Sequence, residues 1–466
     1  MVRMSETEAL MWSVEKDPAL RSDFCNLTIV DGPIDLERLR HALWRAIAAV
    51  PRLGQRVVEP PLKVTTPEWV AVEHLDLDDH LHVVELPAPG DERTLLDFCA
   101  AYAETPFDRA VPLWHFVVIT GLAGGRNAML QKVHHTITDG IGGLKLSLEI
   151  VDFDAAGSSR PAPVAGPTDL APVAPPADLS RLDATRQALG DAAARTVKNT
   201  GAALASAGRA ITDPRGAPGR VSDALSTAAS LRRQLLVTEH ARSDLIDDRS
   251  LLRHFELRRY PMEPVRAAAR QLGGSLNDAF VTIVAGALGE YHRRLGSTVD
   301  ELRMAMPVNI RGRGNEGGAN HFTPSRVLVP IRGDLDDRFA ETRRRLDEAK
   351  HERSLELAGN FASMLIGVPD AVLVAVARSQ TATIDFATSN LRGSPVPLYL
   401  GGARIVANHP LGPRTGCAVN FSLLSYCDEL DVGINLDPFA ITDVGALLEA
   451  LDASFAEFVA VAASVG

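Results

Sequence analysis

Apolar positions recur at helical spacing over residues 34–50, IDLERLRHALWRAIAAV, where Leu36, Leu39, Leu43, Ile47 and Val50 share one stripe. Asp35 stands where an N-cap belongs and Pro51 ends the run, so the pattern predicts an amphipathic, core-facing helix. The period then changes. WHFVVIT (114–120) and AMLQKVHH (128–135) read as strands, and the Gly-rich GLAGGRN between them predicts a hairpin. RHFELRRY (253–260), RMAMPVNI (303–310) and CAVNFSLLSY (417–426) also read as strands. The last is expected to pair with DVGINL (431–436) across Cys427–Leu430, while SLNDAFVTIVAGALGEYHRRLG (275–296) reads as a helix. No internal repeat is visible, and the layout is α/β or α+β in both halves.

Residues 155–180, AAGSSRPAPVAGPTDLAPVAPPADLS, interrupt this pattern with six prolines and little that can form a core. An Ala-rich stretch, 181–211, follows, with Leu182, Leu189, Ala193 and Val197 on one helical stripe. It is either a packing helix or a helix leaning on a lipid surface. At 466 residues the chain exceeds what one hydrophobic core usually serves. The expected division is an N-terminal domain over 1–155, a Pro/Ala-rich linker and helical crossover over 156–240, and a C-terminal domain over 241–466.

Composition narrows the function classes. With 46% hydrophobic and 23% charged residues the chain is globular rather than disordered. A net charge of −11 argues against nucleic acid as a partner, and an anionic ligand would need a local arginine cluster acting against the overall field. Cys25, Cys99, Cys417 and Cys427 show no metal or disulfide spacing and read as reduced thiols of a cytoplasmic protein. The opening MVRMSETEALMWSVEKD has no apolar signal core. AVLVAVA (371–377) and FVTIVAGALG (280–289) are too short to span a bilayer, so the chain is expected not to cross a membrane, with contact at a membrane or lipid-droplet surface left open.

The candidate chemistry sits in QKVHHTITDG, residues 131–140. Successive strand side chains point to opposite faces, so His134 and His135 cannot both enter one cavity. One of them, held at a strand end, is suited to general base work near neutral pH. Asp139 could orient the loop through an ion pair, and Gly140 could let a ligand approach the main chain. Divergent imidazoles and the absence of H-E-x-x-H speak against a metal site. There is no G-x-S-x-G elbow, and no lysine precedes Ser or Thr as a phosphate-binding loop requires, so direct transfer is favoured over a covalent intermediate.

HHTITDG resembles the H-H-x-x-x-D-G signature of the CoA-dependent acyltransferase superfamily. TPFDRAVPLWHF (105–116), SLNDAFV (275–281), MPVNIR (306–311), PVPLYLGGARI (395–405), AVNFSLLSY (418–426) and DVGINLD (431–437) are similar to segments of its bacterial wax ester synthase/diacylglycerol acyltransferase family. MSETEALMW and PRLGQRVV (51–58) agree at the N-terminus. The resemblance implies two chloramphenicol acetyltransferase-like α/β domains with the active-site channel between them. It implies no bound cofactor, acyl-CoA as co-substrate, and diacylglycerol or a fatty alcohol as acceptor. By motif position His135 would be the general base and His134 its support, with Asn277 as oxyanion donor or simple helix N-cap, two roles that are compatible. The resemblance pairs Asp139 with an arginine, for which Arg311 is the candidate. Trp114 and Tyr399 are candidates for the channel wall or for packing, and Arg313 and Arg326 for CoA phosphates. The alternatives are a related acyltransferase using a carrier-protein thioester or a polyketide alcohol, and a non-catalytic lipid-binding relative.

Overall fold

The computed structural model describes residues 2–60, 65–137, 140–157, 241–309, 322–350 and 368–463. The proline-rich linker, the Ala-rich stretch, Asp139, Arg311 and Arg313 lie outside the described residues. The N-terminal part begins β1 (Val2–Arg3), α1 (Glu6–Val14), β2 (Asp23–Asp31), α2 (Leu36–Ala49), β3 (Gln55–Val58) and β4 (Glu68–Ala71). It continues through β5 (Leu81–Glu85), α3 (Glu92–Glu104), β6 (Trp114–Thr120), β7 (Asn127–His134) and α4 (Gly140–Ile150). Beyond residue 240 come β8 (His254–Pro261), α5 (Met262–Gln271), α6 (Leu276–Arg294), β9 (Glu301–Asn309), β10 (Phe322–Pro330) and α7 (Leu335–Lys350). The chain then runs through α8 (Asp370–Thr381), β11 (Phe386–Arg392), β12 (Tyr399–Leu400), β13 (Ala403–Leu411), β14 (Val419–Tyr426), β15 (Glu429–Leu436) and α9 (Val444–Ala463).

The locally patterned elements fall where their periodicity puts them. Asp35 caps α2 by accepting from the Glu37 and Arg38 amides at 3.0 and 3.1 Å, and Leu39, Leu43 and Ile47 are buried along its inner stripe. β6 and β7 form the expected hairpin, and β14 pairs antiparallel with β15, whose first residue is Glu429 rather than Asp431. The described cysteines are free thiols, three of them buried.

Two six-stranded sheets carry the fold, ordered β12-β13-β2-β7-β6-β5 and β10-β9-β11-β14-β15-β8, with a small β1-β4-β3 sheet beside them. The second sheet buries a core against α5, α6, α7 and α9, in which Phe280, Tyr291, Phe421 and Phe458 are sealed. The first sheet has a core on each face, and one of them also takes Phe255 and Leu257 from β8 and Leu411 from β13. A boundary near residue 241 does not divide the sheets: β12 and β13 follow β11 in sequence yet form one edge of the first sheet, where β13 pairs with β2.

β13 also joins the sheets. The Asn408 amide donates to Asp431 Oδ2 at 2.7 Å, and buried His409 donates from Nδ1 to the Val432 carbonyl at 3.2 Å. Here the backbones come close enough that a Cβ on Gly433 would overlap the Pro410 carbonyl oxygen, which is why no larger residue fits. Among the described residues no single helix is long and apolar enough to cross a membrane. α5 and α6 pass that test only as a pair, but they are bent by 98° and most of α6 is buried in the core.

Candidate active site

β7 is buried along nearly its whole length and ends at His134, so His135 is the first residue of the turn beyond the strand. The two histidines part there. His134 faces inward, enclosed by Trp12 and Phe107, while half-buried His135 turns toward Phe24, with ring centroids 4.7 Å apart. Alternation allows only one of them to be accessible, and the accessible one is His135.

His134 is locked. The Thr136 amide, an obligatory donor, points at its Nδ1 from 3.2 Å, and Thr136 Oγ1 lies 2.7 Å from the same atom. Nδ1 must therefore present its lone pair, which leaves the proton on Nε2, donated to the Glu15 carboxylate. Glu15 also accepts from the Ser22 amide at 2.9 Å, with Arg109 at 3.8 Å. Burial pushes the Glu15 carboxyl up, but the His134 ring and Ser22 outweigh it and hold it below the usual carboxylate range.

A second chain of contacts fixes the turn itself. Arg52 Nη1 donates to the Thr136 carbonyl at 2.7 Å and meets Glu8 Oε1 at 2.5 Å, while its guanidinium lies 5.0 Å from the Trp69 ring. Glu8 is fully buried and closes a capping box with Ser5 at the start of α1. Beneath the strand end, Asp23 pairs in register with His134 and forms an ion pair with Arg253 at 3.1 Å, tying the second half of the chain to this point. Lys132 is buried two residues before His134, and burial lowers its pKa.

Sequence reasoning missed Glu8, Glu15, Arg52 and Arg253. The capping-box spacing S-x-x-E at Ser5–Glu8 was the readable signal for the first; an ion pair with a distant segment leaves no such trace.

The remaining candidates divide. Gly140 begins α4. Asn277 is half-buried as the second residue of α6, but the cap is Ser275, whose side chain accepts from the Asp278 amide, so the N-cap expectation for Asn277 is corrected. Trp114 belongs to the core and not to a channel wall: it is fully buried, stacks on His80 at 4.5 Å, and donates from its indole nitrogen to the Leu53 carbonyl at 2.8 Å. Tyr399 exchanges two 2.8 Å backbone bonds with Asp152 at the sheet edge. Arg326 is half-buried against Gln380 on α8. No group of three or more metal-ligating side chains occurs among the described residues.

Asn277 stands on α6, which packs on the second sheet, whereas the histidine turn follows β7 of the first. Cys427 packs against the core that holds Val133 and Ile137, on either side of the histidines. The same Cys427 lines a cleft whose other wall includes Ser275 and Leu276, the residues just before Asn277.

Residues 4–280 match the wax ester synthase/diacylglycerol acyltransferase catalytic domain, and residues 320–458 match the C-terminal domain of the same family. A Mycobacterium tuberculosis H37Rv protein named "Putative diacyglycerol O-acyltransferase" is 31% identical, covering 98% of this chain and 92% of its own. The O-acyltransferase WSD of Acinetobacter baylyi is 25% identical over 82% of this chain and 81% of its own. Among solved structures, the wax ester synthase/diacylglycerol acyltransferase of Marinobacter aquaeolei VT8 superposes with a TM-score of 0.65 at 20% identity, covering 99% of this chain and all of that one. The starter condensation domain of rhizomide synthetase, in complex with C8-CoA and Leu-SNAC, gives 0.59 at 14% identity, over 99% and 94%. These structural likenesses establish the fold, a pair of chloramphenicol acetyltransferase-like domains. The chain belongs to the wax ester synthase/diacylglycerol acyltransferase family and is an O-acyltransferase.

Proposed function

We propose that this acyltransferase moves a long-chain acyl group from CoA directly to the hydroxyl of diacylglycerol or a fatty alcohol, with His135 as general base. His135 Nε2 takes the proton of the acceptor hydroxyl as its oxygen attacks the thioester carbonyl carbon. The tetrahedral oxyanion needs donors fixed in advance, and Asn277, at the N-terminal turn of α6, is the side chain assigned to it. Collapse breaks the C–S bond. The thiolate leaves easily because thiols are far more acidic than alcohols, and it recovers the proton from His135. Asp139 is taken to fix the loop, paired with Arg311, rather than to relay a proton.

One observation carries this reading. Of two adjacent histidines, His134 is sealed and committed to a carboxylate, while His135 stands half-buried at the strand end. The complex of a similarly folded condensation domain with C8-CoA supports a CoA thioester as donor.

The test mixes purified protein with palmitoyl-CoA and either diolein or hexadecanol and follows free thiol. Release should require an acceptor and should disappear in His135→Ala. Retained release in that variant would remove His135 as the base, and lipid binding without release by the wild type would leave a non-catalytic relative.

A further inference from the structure

The base and the oxyanion donor assigned above belong to different halves of the chain: His135 follows β7 of the first sheet, and Asn277 stands on α6 against the second. Their relative placement is only as fixed as the ties between the two sheets near the end of β7.

The segment from Glu15 to Asp23 gathers such ties around the histidines. Glu15 accepts from His134 and, at 2.9 Å, from the Ser22 amide; Asp23 follows Ser22 and opposes His134 in the β2–β7 ladder. Two arginines from beyond residue 240 reach this segment among the described residues. Arg378 of α8 pairs with Asp17, but its side chain is 63% exposed, and a pair so open to solvent contributes little. Arg253 is enclosed. Its side chain is 10% exposed and that of Asp23 3%, and its Nη2 lies 3.1 Å from both carboxylate oxygens. Burial pushes the Asp23 carboxyl up, but Arg253 and then Lys132 outweigh it and hold it below the usual carboxylate range.

Arg253 is in turn fastened to the second sheet. Three residues before it, Ser250 donates from its amide and its hydroxyl to the Asp437 carboxylate, both at 2.6 Å. Asp437, sealed just past the end of β15, also pairs with Arg414 at 2.5 Å. Arg414 reaches back to the Ser250 and Leu252 carbonyls at 3.2 and 2.7 Å. The Arg253 amide donates to Glu104 Oε1, at the end of α3, at 2.6 Å. Residues 250–253 are thus a strap with one end on Asp437 and the other on Asp23. Four residues span at most about 14 Å, so the strap has little slack to absorb a change in spacing.

We propose that Arg253 is a positioning residue: through Asp23 it sets the histidine-bearing end of β7 against the second sheet, and with it His135 against Asn277. The assignment rests on the roles given to those two residues above. A buried ion pair suits this task better than it suits stability, because desolvation offsets much of its attraction while removal of either partner leaves the other charge stranded.

The test uses full-length wild type, Arg253→Met, the Asp23→Asn/Arg253→Met double variant and, as a control on the exposed pair, Arg378→Gln. Arg253→Met strands the Asp23 charge and should lower the melting temperature; the double variant removes both charges and should recover most of that loss. Turnover should not follow. With palmitoyl-CoA and diolein, kcat should be at least tenfold down in both Arg253 variants, with KM for the thioester within twofold, and Arg378→Gln should match the wild type. Hydrogen exchange followed by mass spectrometry gives a readout that needs no activity. Peptides covering 22–31 and 127–137 should exchange faster in the double variant, and those covering α6 should not. A double variant that regains kcat together with melting temperature, or unchanged exchange at the histidine turn, overturns the proposal and leaves the pair a matter of stability. If His135→Ala transfers as the wild type does while exchange at the turn depends on Arg253, the tie stands and the base assignment fails.

Discussion

The Thr136 amide is the smallest element of control in this site. By donating to His134 Nδ1 it turns Nε2 toward Glu15 as a hydrogen-bond donor. The next residue is His135, so any loss of this geometry is passed directly to the proposed base. Glu15→Gln keeps the size but replaces one carboxylate oxygen with a donor, and the amide cannot satisfy both Ser22 and the His134 Nε2–H. We expect kcat to fall at least about tenfold, equivalent to about 1.4 kcal/mol of barrier, with KM for the thioester little changed. A drop in thermal stability with unchanged kcat would reduce Glu15 to a packing residue. The wild-type pair also sets an acid limit. A carboxyl held low in the fold contributes stability that is fully present above the ordinary glutamate value, about 4.3, and is lost as pH falls through its folded value.

At the scale of single elements, α6 shows how neighbouring residues divide structure from chemistry. Ser275 and Asp278 form its capping box, while Asn277 between them makes no capping bond. Ser275→Ala should therefore cost about 1 kcal/mol of stability by thermal or denaturant unfolding, with turnover per folded molecule kept. Asn277→Ala should do the reverse, leaving the melting temperature within a degree or two and lowering kcat by about a hundredfold if it holds the oxyanion. A shared stability loss without a kcat difference would take Asn277 out of the chemistry. α1 makes a related point. Its own pattern is unremarkable for a nine-residue helix, yet Glu8 on it and Glu15 just beyond its end reach both anchors of the histidine turn.

At the scale of the whole molecule, the seam between the sheets contains two buried ionisable groups with opposite pH signs. Burial holds His409 down to about 4, against an ordinary 6.5, so it weakens the fold as pH falls from 6.5 toward 4. Burial raises Asp431 to about 6 in spite of Arg259 beside it, so it weakens the fold as pH rises from about 4 to 6. The two partly cancel in the wild type. His409→Asn removes the first alone, so its stability relative to wild type should improve on acidification from pH 7 to pH 4, by up to about 3 kcal/mol. Parallel melting-temperature profiles for the two proteins, with no divergence below pH 6.5, would show that His409 is not buried neutral.

The sequence by itself determined what depends on neighbours along the chain. Leu39, Leu43 and Ile47 wrote α2, alternation wrote β6, β7, β14 and β15, and two adjacent histidines at a strand end already implied that only one is accessible. Period and capping are local properties, set by side-chain direction within a few residues. What only the tertiary structure decided lies in contacts between distant segments: β13 joining the first sheet, Arg52 linking Glu8 to the Thr136 carbonyl, Arg253 pairing with Asp23 beneath the histidines. Strand pairing and ion pairing carry no period. An arginine destined for a buried anchor looks in sequence like one bound for solvent, and the chain's closure on itself decides which it becomes.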